Sequence, residues 1–402
     1  MPSKADILFS EFNKRYKDEL FTKGKVIQKC ARIPFSSPMA NYPLYGGLPR
    51  GRLVELSGAE ASGKTTTCLD VLSNAQKLFK KEWEDEISAL EALPKLNKEQ
   101  IARLNELRDV GPKKCLYVDA ENTFDEDWAI KMGVVVSTVY FYSPKEQSAE
   151  QVFDDVLALL ETGEFGLAVI DSLGVMLSQQ AYEKTVMEKT YGGIAMALTN
   201  FSKRATGLCA KTNCLLIGVN QMRDNMNSPY GGMTTTGGKA WKHNCSVRIE
   251  CRKFDHFDEK YAKVSKSSCE NPFGHYIQLH VEKTKVSKNN RKLGQYCLEY
   301  ENGINALMDY INLAVKPNIG IIKQSGAWFT FMDKATGEVI CDDDGSPYKV
   351  QGVRNIPAFL NEHEDIKEMI KLYVDQIIAG EDITAPIEDK DLGLELAPDV
   401  EE

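Results

Sequence analysis

Several things are scarce in this chain of 402 residues. No apolar run approaches the roughly 20 residues that a membrane-spanning helix needs. The opening Met1-Pro2-Ser3-Lys4-Ala5-Asp6 has no apolar signal-peptide segment. The expectation is a cytoplasmic protein with no membrane partner. The five histidines do not cluster with cysteine at ligand spacing, and the ten cysteines include no CxxC pair. Neither a zinc site nor a disulfide framework is indicated, so the cysteines read as reduced and mostly packed. Positive charge is also short, with a net charge of −9 that argues at first against a nucleic-acid partner. The deficit is local, however. Residues 381–402 hold nine acids against Lys390 alone, a net charge of −8, which leaves about −1 for the other 380 residues. A basic groove elsewhere stays open. The acidic tail itself is too charged and too poor in aromatics to bury anything, and is expected to be disordered.

What is present is ordinary globular material, 43% hydrophobic and 27% charged, in a chain long enough for two or three domains. Its organising stretch is Leu53-Val54-Glu55-Leu56-Ser57 followed by Gly58-Ala59-Glu60-Ala61-Ser62-Gly63-Lys64-Thr65-Thr66. An apolar run feeds a GxxxxGK[ST] loop that opens into a helical pattern, the form of a P-loop. Gly58 and Gly63 let backbone N–H groups turn inward around a phosphate, and the positive end of the helix adds to that field. Lys64 would reach the β- and γ-phosphates and the Thr65 hydroxyl would ligate Mg²⁺. A nucleoside triphosphate is the implied ligand.

Strand and helix patterns alternate after this loop. Cys115–Asp119, Val139–Tyr142, Leu167–Asp171 and Cys214–Val219 read as buried strands, with helices over Ser148–Leu160 and about Ile194–Lys211. The apolar run ending in Asp171 has the form of the second NTPase motif, whose carboxylate holds a water on Mg²⁺. This predicts an α/β fold with a mainly parallel central sheet and the ligand at the strands' carboxyl ends. Ahead of it, Ile7, Leu8, Phe12, Tyr16 and Leu20 make residues 4–22 an amphipathic helix that docks on its own domain or on a neighbouring subunit. The helix after the P-loop is predicted to stop near Phe79. The charge-rich residues 80–112 then read as two short helices in a hairpin, a solvated excursion from the surface. Strands at about Ser246–Arg252, Tyr276–Val281 and Leu293–Tyr300 lead into a small α+β unit over 304–380, with a hairpin turn at Asp333–Gly337 and a helix from about Pro357 to Ala379. The expected divisions are thus 1–32, 33–303, 304–380 and the tail.

Two connections are too long and polar for ordinary loops. One, Gln179 to Gly193, carries Tyr191 and Gly192-Gly193; the other runs from Arg223 to Lys242. In the second, Met226 and Tyr230 can wedge between bases while Arg223, Lys239 and Lys242 meet phosphates, which fits backbone-directed nucleic-acid binding.

With these residues assembled, the chain resembles the RecA family of recombinases from about Ile33 to the tail. The segments that carry the resemblance are Gly46–Arg52, Val118–Glu121, Val169–Leu173, Asn220–Arg223, Thr234–Gly238, Ser246–Arg248, Glu282–Lys285 and Gly326–Phe329. It implies a P-loop NTPase core of RecA type with an N-terminal helix and a small C-terminal domain. It also implies a DNA-dependent ATPase that forms helical filaments on single-stranded DNA with ATP and Mg²⁺, pairs it with homologous duplex DNA and exchanges strands. Single-strand-binding and loading proteins would be further partners. By the resemblance Glu121 is the general base, Ser172 supports the metal beside Asp171, and Gln221 senses the γ-phosphate. Asp125, Trp128 and Tyr300 would hold the adenine. Lys283 and Lys285 would reach the neighbouring subunit's ATP, and the N-terminal helix would dock on the next protomer. The DNA-binding set is Tyr191, Gly192, Gly193, Lys203, Arg223, Met226, Tyr230, Gly237, Gly238 and Lys239.

There are departures from the family pattern. Residues 80–112 have no counterpart in typical bacterial members, the second loop is one residue shorter, and Met196 replaces an arginine. Such divergence suits a phage-encoded member as well as a bacterial one. The competing readings are a hexameric helicase with the same core, which would lack the Gly326–Phe329 unit, and a non-catalytic mediator paralogue, which would have lost catalytic positions that are all present here.

Overall fold

The computed structural model describes residues 3–16, 30–184, 193–224, 233–265 and 269–381. The chain divides into two compact units between Ala31 and Arg32. The first contains α1 (Lys4–Tyr16), which begins with a reciprocal cap in which Ser3 N donates to Asp6 Oδ2 (3.0 Å) and Asp6 N to Ser3 Oγ (3.2 Å). Ile7 and Leu8 of its apolar stripe are exposed. Leu20 and the acidic tail beyond Glu381 lie outside the described residues.

A central sheet organises the second unit. Its main strands are β1 (Leu53–Gly58), β2 (Lys114–Asp119), β3 (Val139–Tyr142), β4 (Phe165–Asp171), β5 (Leu215–Asp224), β6 (Val247–Phe257), β7 (Gly274–Thr284) and β8 (Leu293–Glu299). In space they run β8-β7-β6-β1-β5-β4-β2-β3. The six from β6 to β3 are parallel, and β7 and β8 are added antiparallel. This is the predicted α/β core. Sheets of this kind are covered on both faces, and β1 is accordingly buried at every position.

The strand pleat sends alternate residues to two cores. Val54 and Leu56 pack with Cys68, Leu69, Leu72 and Phe79 of α2 (Lys64–Glu91). Leu53 joins the opposite core. There α5 (Ala149–Glu161) contributes Val152, Phe153, Val156 and Leu160, and α6 (Gly193–Thr212) contributes Leu198, Phe201 and Ala205; α4 is the short helix Glu126–Lys131. The i, i+3, i+4 spacing along α5 puts its apolar residues on one face, and each large side chain buried there contributes about 2 kcal/mol. Ser148 starts this helix by accepting from Gln151 N, which fixes the predicted boundary.

The hairpin differs from expectation. Rather than ending near Phe79, α2 continues without a break to Glu91, and only α3 (Lys98–Val110) is a separate helix. Between 80 and 91 the composition turns charged but holds no glycine or proline, so nothing stops the helix. The excursion is tied down by Trp83 Nε1 donating to Leu107 O (2.7 Å) and by Arg103–Glu86 (2.8 Å), Arg108–Glu91 (2.7 Å) and Arg50–Glu82 (2.6 Å) pairs.

A third core gathers Met308, Ile311 and Leu313 of α8 (Ala306–Ala314) with Ile356 and Leu360 of α9 (Ile356–Glu362), and with Ile366, Ile370 and Tyr373 of α10 (Glu364–Ala379). The single helix expected to Ala379 is thus two, divided at His363, whose ring Nδ1 lies 2.9 Å from Phe359 O. A three-stranded antiparallel sheet, β9 (Ile322–Ser325), β10 (Trp328–Phe331) and β11 (Lys349–Gln351), packs with them. Met39, Phe257 and Cys297 also enter this core, so it is continuous with the strands β6 and β8.

Asp309 of α8 is fully buried and accepts from Cys297 N at 3.1 Å to each oxygen. Burial pushes its carboxyl up from 3.8 to about 7, against the pull of its bonds to Ser37 and Cys297. The folded protein therefore holds this proton more tightly than the unfolded chain. The group's contribution to stability is complete below about pH 4 and is lost as pH rises through about 7. Asp309→Asn keeps an acceptor for Cys297 N and removes the charge. Urea unfolding at about pH 5 and about pH 8 should show a flatter pH dependence for the variant, which should be the more stable protein at the higher pH. An unchanged pH slope would show that this carboxyl does not titrate in that range.

Candidate nucleotide-binding site

The loop between β1 and α2 has little room for anything but glycine at its two ends. A Cβ on Gly58 would come within 2.4 Å of Ser62 Oγ and 2.5 Å of Cys251 O; at Gly63, where φ is +89°, it would meet Ile277 Cδ1 at 2.2 Å. These approaches wrap the loop closely around the start of α2. Lys64 Nζ turns back onto the loop carbonyls of Gly58 (3.3 Å) and Ala59 (2.6 Å). Ser62 Oγ is buried with no hydrogen-bond partner. An unsatisfied hydroxyl, a lysine and a helix N-terminus converging on one loop fit the phosphates of a nucleotide. Ala61, Ser62, Gly63, Lys64, Thr65 and Thr66 line a cleft of about 210 Å³ there. A larger cleft of about 820 Å³, lined by Lys77, Lys113 and Tyr140, holds none of the predicted site residues.

Acidic groups stand at the neighbouring strand ends. Thr65 Oγ1 donates to Asp171 Oδ2 at 2.8 Å, and Tyr117 Oη donates to the same oxygen at 2.9 Å. Burial raises the Asp171 carboxyl above its ordinary value, and the nearby Glu121 adds to this, while the two hydroxyls pull it back. A divalent cation would relieve that strain, and the Thr65–Asp171 donor set fits Mg²⁺. Glu121 Oε1 accepts from Ser172 Oγ at 2.6 Å and from Gln221 Nε2 at 3.1 Å. Glu121, Ser172 and Gln221, which lie on three separate stretches of sequence, thus form one cluster.

The residues expected at a base are arranged at the flank. Asp125 caps α4 by accepting from Trp128 N (2.9 Å), and Trp128 Nε1 donates to Thr66 Oγ1 (3.3 Å). Tyr300 Oη lies 3.0 Å from His275 Nδ1, and buried His275 lines the cleft beside Thr66. Tyr300 thus reaches the cleft wall through His275 rather than lining it. Lys283 and Lys285 do not join the cluster of their own chain. Lys283 Nζ donates to Lys242 O (2.7 Å) and His243 O (2.9 Å), and Lys285 Nζ to His243 O (2.7 Å), at the C-terminal end of α7 (Gly238–Asn244). Burial, then the charge of Lys285, holds the Lys283 ammonium below its ordinary value.

The polar loop that starts at Arg223 is framed by antiparallel pairing of Met222 with Thr235 and Arg223 with Thr234. Arg223 Nη2 donates to Gly174 O at 3.1 Å. Gly237 and Gly238, with φ of +100° and +71°, lead into α7, where Lys239 is exposed; Lys203 is exposed on α6, which begins at Gly193. Tyr191, Gly192, Met226 and Tyr230 lie outside the described residues.

The profile of the RecA N-terminal domain family matches residues 27–90 and 98–305, breaking only at the tip of the α2–α3 hairpin. The chain belongs to the RecA family. It is 30% identical over 373 residues to Protein RecA of Chlorobaculum parvum, covering 90% of each chain. To Protein RecA of Chlorobaculum tepidum it is 31% identical, covering 83% of this chain and 80% of that one. To that of Citrifermentans bemidjiense it is 28% identical, covering 91% and 92%. It is a RecA-type recombination and repair protein, and the helicase and mediator readings are not favoured.

The sequence pattern does not single out Tyr117 and His275, which stand at this site. Tyr117 sits inside a strand that reads as a continuous run, and His275 stands just ahead of the strand expected at Tyr276–Val281. The available signal was that a buried tyrosine needs a hydrogen-bond partner for its hydroxyl.

Proposed function

We propose that the protein binds ATP with Mg²⁺ at the loop Gly58–Thr66 and hydrolyses it in a DNA-dependent way. It works as a helical filament on single-stranded DNA that pairs with homologous duplex and exchanges strands. The observation that carries this reading is the position of Glu121, whose Oε1 is held by both Ser172 and Gln221. Gln221 is also a residue of β5, the strand that leads into the polar loop. One side chain therefore stands between the hydrolytic carboxylate and the DNA-facing segment.

Lys64 leaves the loop carbonyls for the β- and γ-phosphates, and Ser62 Oγ finds an acceptor there. Thr65, and Asp171 through water with Ser172 in support, would hold Mg²⁺, which would supply charge neutralisation on the phosphates. Glu121 takes a proton from the attacking water as its oxygen bonds to the γ-phosphorus and the bond to the ADP oxygen breaks. Trp128, Asp125 and Tyr300 hold the base. In the filament Lys283 and Lys285 leave the carbonyls at the end of α7 and reach the neighbour's γ-phosphate, where two cations oppose the charge that develops in phosphoryl transfer. The N-terminal helix docks on the next protomer, and the exposed Lys203 and Lys239 meet DNA phosphates with Arg223.

Lys64→Ala should weaken binding of a fluorescent ATP analogue by at least about tenfold. Glu121→Gln should bind it within about threefold of the parent protein but release phosphate about 10² to 10⁴ times more slowly. Equal loss of affinity in both variants would remove Glu121 as the base. Mixing Lys64→Ala protein with Lys283→Ala/Lys285→Ala protein should restore part of the DNA-stimulated hydrolysis, because some interfaces then join an intact loop to an intact lysine pair. No recovery at any ratio, with co-assembly shown by light scattering, would contradict a shared site.

A further inference from the structure

The strand that ends in the phosphate loop carries a carboxylate in its middle. Glu55 has 0% exposure. Its Oε1 accepts from Asn220 Nδ2 and Trp241 Nε1, each at 3.0 Å, and its Oε2 accepts from Arg248 Nε at 2.5 Å. A charge placed there is costly to desolvate, and an apolar residue of similar volume would serve the packing of β1 as well. The donors identify what the carboxylate does. Asn220 immediately precedes Gln221 on β5, Trp241 lies in α7 at the C-terminal end of the polar loop, and Arg248 is on β6. Asn220 Nδ2 also donates to Thr236 O at 2.8 Å. Both ends of the polar loop are thus tied to one side chain on the nucleotide-binding strand.

Local geometry makes this reach feasible. Gly218 is the register partner of Glu55 on β5, and a Cβ there would come within 2.5 Å of the Trp241 ring. The missing side chain lets the indole lie across β5 and present its N–H to Glu55. Arg248 is the register partner on the other side. The junction is also left unsaturated: Asn220 Oδ1, Thr235 Oγ1 and Thr236 Oγ1 are buried without hydrogen-bond partners. Three unused polar atoms beside a fixed carboxylate permit a second hydrogen-bond arrangement when the loop is engaged.

We propose that Glu55 is a positioning residue that couples engagement of the polar loop by DNA to the Gln221–Glu121 contact in the nucleotide site. It touches neither ligand. It holds Asn220 of β5 and Trp241 of α7 on one carboxylate, so a shift of the loop is delivered to the adjacent Gln221. This rests on the proposed DNA-dependent hydrolysis.

The test compares phosphate release with and without single-stranded DNA, affinity for a fluorescent ATP analogue, and thermal melting, all in the full chain. Glu55→Gln preserves volume but turns an amide N–H2 toward the donors. Stimulation by DNA should fall about tenfold while the DNA-free rate and nucleotide affinity stay within about twofold. A parallel fall in both rates would mark a merely structural role and overturn the inference, as would stimulation equal to the parent protein. If Glu55→Gln shows no cooperative melt, Trp241→Phe takes its place, since it deletes a single N–H from the network; about a threefold loss of stimulation is then expected, and full stimulation overturns the inference. Absence of stimulation in the unaltered protein would overturn the DNA-dependent reading itself and this inference with it, a result distinct from failure in the variants alone.

Discussion

The parallel pairing of β1 with β5 and β6 places Gly58 opposite Gln221 on one side and Cys251 on the other. In the next part of the sheet β2 and β4 bring Asp119 opposite Asp171. The chemistry of the site follows from these alignments, because β1, β2 and β4 end at one edge and β5 carries Gln221 past it. A slip of one residue in any pair would exchange the two faces of the strand and carry its terminal polar group out of the cluster. The alternation of Leu53 into one core and Val54 into the other prevents that slip, since apolar side chains would have to leave both cores at once. The packing that stabilises the sheet is therefore also what aims Thr65, Asp171, Glu121 and Gln221 at one place.

The same economy extends to the surroundings. In the single chain Lys283 and Lys285 cap the carbonyl end of α7, which opposes the negative end of the helix dipole. Both are positions that the proposed filament uses across an interface, and α7 closes the polar loop. Helix end, lysine pair and loop are thereby linked through backbone and side chain. The α2–α3 hairpin, in contrast, is held together by surface ion pairs and one indole bond between its two helices. Exposed pairs of this kind each contribute at most about 1 kcal/mol, so the excursion adds little to the core's stability.

Much of this could be read before the structure because the signals are local. A P-loop is one uninterrupted stretch, and Asp171 closes an apolar run at the expected place. Buried parallel strands announce themselves as short apolar segments, and Ser148 with Gln151 marks a helix start. The extent of α2 was misjudged because a change from apolar to charged residues resembles a boundary, although only solvent exposure changes there and the backbone has no cause to turn. Glu55, Tyr117 and His275 were not legible for a different reason. Each is a polar residue in a strand whose meaning depends on a partner far along the chain: Asp171 for Tyr117, Tyr300 for His275, and Asn220, Trp241 and Arg248 for Glu55. No spacing rule reaches across such separations.

The central claim is that nucleotide and single-stranded DNA together drive this chain into a continuous filament. Electron microscopy of the protein with single-stranded DNA and a slowly hydrolysed ATP analogue addresses it most directly. The account predicts helical filaments that run the length of the DNA and are absent when either ligand is withheld. Closed rings on the DNA, or isolated protomers under the same conditions, would contradict it.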